Sequence, residues 1–78
     1  MDNLEKYNKI FIETFGISQE QLNGLKYQDI PEWDSIGHMS LVAGLEDEFE
    51  IMLDADDIID MSSYEIGKDI LAKYNITF

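Results

Sequence analysis

The sequence has no cysteine and no arginine, and it contains one proline and one histidine. The absence of cysteine excludes a disulfide scaffold, a thiolate metal site and cysteine catalysis, and it fits a reducing compartment. A single histidine without cysteine argues against a zinc site. No apolar run approaches the ~20 residues of a membrane span, and the acidic N-terminus is unlike a secretory signal. We therefore expect a soluble, cytoplasmic protein.

The length of 78 residues predicts a single domain over residues 1–78. A chain this short buries only about 60% of the surface that it exposes when unfolded. A deep catalytic cleft is therefore not expected. The hydrophobic fraction of 45% is nevertheless high enough for a folded core.

Seventeen acidic residues and five lysines give a net charge of −12. Twelve of the acids lie between Asp29 and Glu65, a stretch that has no lysine, and the other five are balanced by the five lysines. Nucleic acid and anionic membranes would be repelled by such a segment. A basic protein partner, or loose divalent cations, would be attracted. Plain solubility is the alternative explanation.

Capping residues and apolar spacing predict a first helix near the N-terminus. Asp2 and Glu5 form a capping-box pair, and Gly16 is placed to end the helix in a left-handed conformation. Between Asp2 and Gly16, four apolar residues lie at helical spacing. They are Leu4, Tyr7, Phe11 and Phe15.

Residues 17–33 are too many for a bare loop. Ser18 with Gln21 predicts a short capped turn in this segment. Five apolar side chains are expected to pin the segment to the core. They are Leu22, Leu25, Tyr27, Ile30 and Trp33.

Two helices are predicted in the acidic stretch. The second helix should begin at Asp34 or Ser35, either of which can act as N-cap, and run to about Glu50. Asp54 with Asp57 predicts a short third helix.

Ser62 and Glu65 form another capping-box pair, which predicts a last helix. Its buried face should include Ile66, Ile70, Leu71 and Tyr74. No Asn-Gly or Asp-Gly hairpin signal is present. The predicted fold class is therefore all-α: a small four-helix bundle, with three main helices and one short helix, and a long first loop.

Side chains that could support catalysis or metal binding do not form a convincing site. Asp34, Ser35 and His38 have the residue types of a catalytic triad, but they fall within one helical turn and cannot converge from different elements. His38 is expected to be a partly exposed helix residue. The acids from Asp54 to Asp57 lack the glycine and the terminal glutamate of a calcium loop. We expect a protein that is not an enzyme and has no specific metal site.

The second helix carries two apolar stripes when it is drawn with helical periodicity. One stripe is expected to face the core and contains Leu41, Val42, Leu45 and Phe49. The other contains Ile36, Met39 and Ala43. This second stripe is either a wider core face or a docking patch set among acids.

Ser35 at the start of this helix has two interpretations. It is either a simple capping serine or the attachment point of a phosphodiester, because free N–H groups and the positive end of the dipole favour an anion there. An Asp-Ser pair alone does not decide between them.

Motifs along nearly the whole chain resemble those of the acyl carrier protein family. They are Phe15-Gly16-Ile17, Asp34-Ser35-Ile36, Leu45-Glu46-x-Glu48-Phe49 and the acids Asp56-Asp57. The resemblance implies that Ser35 carries a 4′-phosphopantetheine arm derived from coenzyme A, and that Asp34 helps to present it to a phosphopantetheinyl transferase. Acyl groups would be held on the arm as thioesters.

The same resemblance assigns two further groups of residues. Partner enzymes with basic docking patches would bind a monomeric carrier through Ile36, Met39, Ala43, Glu46, Asp47, Glu48, Asp56 and Asp57. The core, which in this family can part to shelter an acyl chain, would include Leu41, Val42, Leu45, Phe49, Ile58 and Ile66.

The sequence departs from many fatty-acid carriers just after the motif. Gly37, His38 and Ser40 replace the acids and threonine that are common there. A carrier for polyketide, lipopeptide or surface-sugar acylation therefore competes with a housekeeping fatty-acid carrier. Gly37 and Gly44 are hypothesised to allow close approach of the arm or a partner. An unmodified acidic interaction module with the same fold is the alternative from a different class.

Overall fold

Four α-helices make up most of the regular structure in the computed structural model, which describes all 78 residues. Helix α1 spans Asn3–Phe15, α2 Ser35–Phe49, α3 Ala55–Asp60 and α4 Tyr64–Ala72. A 3₁₀ turn, Gln19–Leu22, lies between α1 and α2. The all-α class and the presence of three main helices with one short helix agree with the sequence-based expectation. No helix is both long enough and apolar enough to cross a membrane.

The first helix begins and ends at the predicted residues. The Asp2 carboxylate accepts the N–H of Glu5 over 2.8 Å, and the Glu5 side chain returns to the Asp2 backbone. Gly16 ends the helix with φ of +66°, and its N–H donates to the Ile12 carbonyl. A residue with a β-carbon would be strained in this conformation.

The last helix begins one residue later than predicted. Ser63 rather than Ser62 is the N-cap, and its Oγ accepts the N–H of Ile66 over 3.0 Å. The backbone of Ser62 is bonded outside the helix, because its carbonyl accepts the N–H of Tyr27 over 2.9 Å. The neighbouring N–H of Tyr64 donates to the Leu25 carbonyl over 2.9 Å. This pairing of 25–27 with 62–64 holds Ser62 outside the helix.

The assignment of Ile66 to the core was wrong, since 41% of this residue is exposed. The buried face of α4 is formed instead by Tyr64, Gly67, Ile70 and Leu71. Gly67 lies opposite Tyr7 of α1, so the centre of the face falls one residue after Ile66. Tyr74 lies beyond the end of the helix and is half-buried.

Aromatic rings from α1 and from the connection to α2 form the centre of the core. Trp33 is fully buried, stacks on Phe15 with 5.3 Å between ring centroids, and meets Phe11 edge-on at 5.5 Å. The Tyr7 hydroxyl is also buried and donates to the Tyr64 carbonyl over 2.7 Å. The expected anchors Leu22, Leu25 and Trp33 are buried, and Tyr27 and Ile30 are half-buried.

Two glycines of α2 make room for the protein's own packing. A β-carbon on Gly44 would lie 3.1 Å from Cγ2 of Ile10, so this glycine lets α1 approach α2 closely. A β-carbon on Gly37 would lie 1.9 Å from the Glu32 carbonyl oxygen. The hypothesis that these glycines open space for an arm or a partner is therefore corrected.

Candidate functional site

Ser35 is the first residue of α2 and its side chain is exposed. Asp34 precedes it as the N-cap and accepts the N–H of Gly37 over 2.8 Å. The structure thus decides between the two predicted caps in favour of Asp34. The N–H groups of Ser35 and Ile36 have no acceptor within the protein, as is usual in the first turn of a helix.

The hydroxyl of Ser35 has one side-chain hydrogen-bonding partner, the phenol of Tyr27. Their oxygens are 3.2 Å apart and either can donate. Tyr27 is half-buried and belongs to the connection between α1 and α2. Sequence reasoning assigned it only an anchoring role.

An apolar groove of about 390 Å³ opens beside Ser35, between the first turns of α2 and helix α3. Its size falls in the range of small-molecule pockets, roughly 300–1,000 Å³. Eight residues from three parts of the chain line it. They are Tyr27, Ser35, His38, Met39, Ile58, Ile59, Met61 and Ser62.

His38 forms part of the wall of this groove and uses both ring nitrogens. The indole N–H of Trp33 donates to Nδ1 over 3.0 Å, and Nε2 lies 2.7 Å from the Ile58 carbonyl oxygen. An indole can only donate and a carbonyl can only accept, so the proton resides on Nε2. His38 is a half-buried link between α2 and α3, which the sequence did not reveal.

The triad-like residue types do not form a hydrogen-bonded relay. The carboxylate of Asp34 bonds to the backbone of Gly37, and His38 bonds to Trp33 and Ile58. Neither ring nitrogen of His38 is free to take a proton from Ser35 in this arrangement.

The second apolar stripe of α2 is exposed. Ile36 is 79% exposed and Met39 is 53% exposed, and Ala43 is also exposed. Two more apolar residues outside α2, Met52 and Ile59, are exposed, and Ile59 lines the same groove as Met39. Each is adjacent in the sequence to another apolar residue, Met52 to Ile51 and Leu53 and Ile59 to Ile58, so the sequence gave no signal that these two side chains are exposed.

The acids expected to meet partners differ in their surroundings. Asp47, Glu48 and Asp56 are exposed. Glu46 is half-buried, and its carboxylate accepts the N–H of Leu53 over 2.9 Å, which fixes the turn after α2.

The expectation that Asp57 belongs to the partner-binding surface was wrong. It is only 7% exposed, and its carboxylate accepts from Lys73 Nζ over 2.5 Å and from the Tyr74 hydroxyl over 2.6 Å. The hydrogen bond from Lys73, followed by that from Tyr74, lowers the pKa of Asp57 below its usual value. The same contacts raise the pKa values of Lys73 and Tyr74. Asp57 thus ties α3 to the C-terminal segment, and one acid of the lysine-free stretch is neutralised from outside it.

The residues expected to surround an acyl chain are divided by the structure. Leu41, Val42 and Leu45 are buried in the core, while Phe49 is half-buried at the end of α2. Of the expected set, only Ile58 lines the groove. Ile66 is exposed on α4 and is not part of it. The other walls include Tyr27 and Met39, which lie far from Ile58 in the sequence, so their convergence has no local signal.

No three Asp, Glu or His side chains converge closely enough to hold a metal ion. Comparisons with protein-family models, with curated proteins and with solved structures find no match to the chain.

Proposed function

We propose that the protein is an acyl carrier that holds acyl groups as thioesters on a 4′-phosphopantetheine arm attached to Ser35 and delivers them to biosynthetic enzymes. The observation that carries the proposal is the placement of Ser35. Its exposed hydroxyl lies at the start of a 15-residue helix and at the edge of an apolar groove. A transferase can reach this hydroxyl, and an attached arm would have apolar surface beside it.

The surroundings of Ser35 fit a phosphodiester-linked group. The unpaired N–H groups of Ser35 and Ile36 and the positive end of the α2 dipole favour a phosphate. The Asp34 carboxylate is engaged with the Gly37 N–H, so it holds the helix start in place without occupying those two groups. Asp34 also supplies a charged residue next to the serine for recognition by the transferase.

The arm supplies the thiol that this cysteine-free chain lacks. The chain's own part is to anchor the arm, and tethering keeps the acyl group at high effective concentration near a bound enzyme. The apolar residues Met39, Ile58 and Met61 of the groove offer a surface for an acyl chain. The proposed acyl contact would therefore lie beside the bundle rather than among Leu41 and Leu45, which are buried in its core.

Partner enzymes would meet the exposed apolar residues Ile36, Met39 and Ile59. The exposed acids Glu48 and Asp56 would steer basic docking surfaces toward them. We further propose a cytoplasmic, monomeric carrier. Fatty-acid synthesis and a specialised pathway, such as polyketide, lipopeptide or surface-sugar acylation, remain the two alternatives for its role.

Intact mass spectrometry tests the proposal. The protein is incubated with coenzyme A and a promiscuous phosphopantetheinyl transferase. One arm should be added to the wild type, with release of 3′,5′-ADP and of the Ser35 hydroxyl proton, and none to Ser35→Ala. Ser40→Ala is the matched control, because Ser40 is another exposed serine of α2, and it should be modified normally.

An unmodified wild type would overturn the proposal, provided that the transferase modifies a reference carrier in the same reaction. The unmodified acidic interaction module would then be the better description of the chain.

A further inference from the structure

Tyr27 is the side chain that contacts the Ser35 hydroxyl, and we propose that it positions the arm by donating a hydrogen bond from its phenol to a phosphate oxygen of the phosphodiester on Ser35. The two hydroxyl oxygens are 3.2 Å apart. This inference rests on the proposed function, because it concerns the group that Ser35 would carry.

The backbone at Tyr27 is fixed by the pairing with the segment before α4. Its N–H donates to the Ser62 carbonyl over 2.9 Å, and the adjacent residue Lys26 forms an antiparallel bridge with Ser63. The ring is also held, since it meets the Trp33 ring edge-on at 6.3 Å and the His38 ring edge-on at 5.7 Å. The phenol is therefore directed at Ser35 before any group is attached, which lowers the entropic cost of forming a new bond.

Attachment of the arm changes the hydrogen-bonding partners at this point. Ser35 Oγ loses its proton when it becomes an ester oxygen, so Tyr27 is then the donor of the pair. The phosphate oxygens bonded to the same phosphorus carry negative charge, and hydrogen bonds to charged acceptors are shorter and stronger than neutral ones. We expect the phenol to move from Oγ to one of these oxygens.

Few other side chains in the groove can bind the phosphate through a hydrogen bond or a positive charge. No lysine or arginine lines it, and both ring nitrogens of His38 are already bonded. The Ser62 hydroxyl is the other groove donor, and it makes no hydrogen bond to Ser35. A bond from Tyr27 would hold the phosphate on the groove side of α2, so that the arm starts over the groove.

The test compares loaded wild type, Tyr27→Phe and Ser62→Ala. All three are treated with coenzyme A and the transferase until intact mass shows complete modification, and ³¹P spectra are recorded at the same pH and salt. Tyr27→Phe keeps the ring and removes only the hydroxyl, so its ³¹P resonance should move from the wild-type position by more than the linewidth. Ser62→Ala removes a hydroxyl from the same groove and should coincide with wild type.

A second measurement uses the wild type alone, so that it does not depend on how the variants fold. With tyrosine labelled at the ζ-carbon, loading should shift the Tyr27 resonance and leave that of Tyr74, which bonds to Asp57, unchanged.

The outcomes separate the two proposals. Complete loading with coincident ³¹P resonances for wild type and Tyr27→Phe, or an unmoved Tyr27 ζ-carbon, overturns the positioning role alone. Equal shifts in Tyr27→Phe and Ser62→Ala also overturn it, because they indicate a general change in the groove. A wild type that takes up no arm overturns the proposed function, and this inference with it.

Discussion

The indole of Trp33 and the imidazole of His38 stack with 6.2 Å between their centroids and 16° between their planes, and the indole N–H donates to Nδ1. Trp33 is fully buried, so this bond satisfies a donor that has no access to water. Through Nε2 the same histidine reaches the carbonyl of Ile58 on α3. A residue of the candidate site is therefore also a structural link between the core, α2 and α3.

Replacing His38 with alanine should destabilise the fold. The buried N–H of Trp33 would lose its acceptor, and an unsatisfied buried polar group costs about 1–3 kcal/mol. The measurement is the free energy of unfolding in urea. Ser40→Ala, an exposed position on the same helix, should stay within about 0.5 kcal/mol of wild type. Equal effects of the two substitutions would contradict the structural role of His38.

Asp57→Asn should lower the thermal midpoint at neutral pH, because the variant loses the charge-assisted bond from Lys73. The folded pKa of Asp57 lies below its usual value of 3.8. The stabilisation is therefore complete above that value and is lost as pH falls through the lower, folded pKa. Thermal scans from neutral to acidic pH should show the difference between wild type and Asp57→Asn shrinking. The neighbouring exposed acid provides the control, since Asp56→Asn should change little at any pH; a difference that is independent of pH would contradict the ion pair.

Gly37→Ala and Gly44→Ala should behave differently although both lie in α2. A β-carbon at Gly37 would meet backbone, the Glu32 carbonyl oxygen at 1.9 Å, whereas at Gly44 it would meet the Ile10 side chain at 3.1 Å. Overpacking against a rigid neighbour costs about 1–3 kcal/mol or more. At Gly44 the gain in helix propensity, up to about 1 kcal/mol, offsets a small movement of Ile10. Denaturant unfolding of both variants checks this, and a Gly37→Ala protein as stable as Gly44→Ala would refute it.

Two substitutions at Asp34 separate its structural role from recognition. Asp34→Ala removes the N-cap and should cost about 0.5–2 kcal/mol of stability. Asp34→Asn keeps an oxygen that can accept the Gly37 N–H, so it should unfold near the wild-type midpoint. If the charge is recognised by the transferase, Asp34→Asn should nevertheless be modified more slowly. Normal modification of this variant would show that only the cap matters.

The two stripes of α2 can be separated by a pair of variants. Leu45→Ala truncates a fully buried side chain and should cost about 2–5 kcal/mol. Ile36→Glu changes a residue that is 79% exposed, and such substitutions usually stay within about 0.5 kcal/mol. Its rate of modification by the transferase should fall, because an apolar contact becomes charged. A stable Ile36→Glu protein modified at the wild-type rate would remove Ile36 from the docking surface.

Much of the local structure follows from residues that lie three or four positions apart. Asp2 with Glu5 and Gly16 delimit α1 as predicted, and Asp34 starts α2. Capping bonds and helical periodicity act within one or two turns, so they can be recognised in the sequence. Their limit is visible at the last helix, where Ser62 and Ser63 are equally good caps by type and only the pairing of Ser62 with Tyr27 selects Ser63.

The sequence by itself determined the all-α class, the approximate helix bounds and the position of Ser35 at the start of α2. Only the tertiary structure decided which residues surround that serine, because Tyr27, Ile58 and Met61 belong to segments that meet after the chain has folded. It also removed Asp57 from the partner surface, since Lys73, sixteen residues away, reaches its carboxylate. Contacts of this kind depend on how the helices pack, so they cannot be predicted from the spacing of residues along one helix.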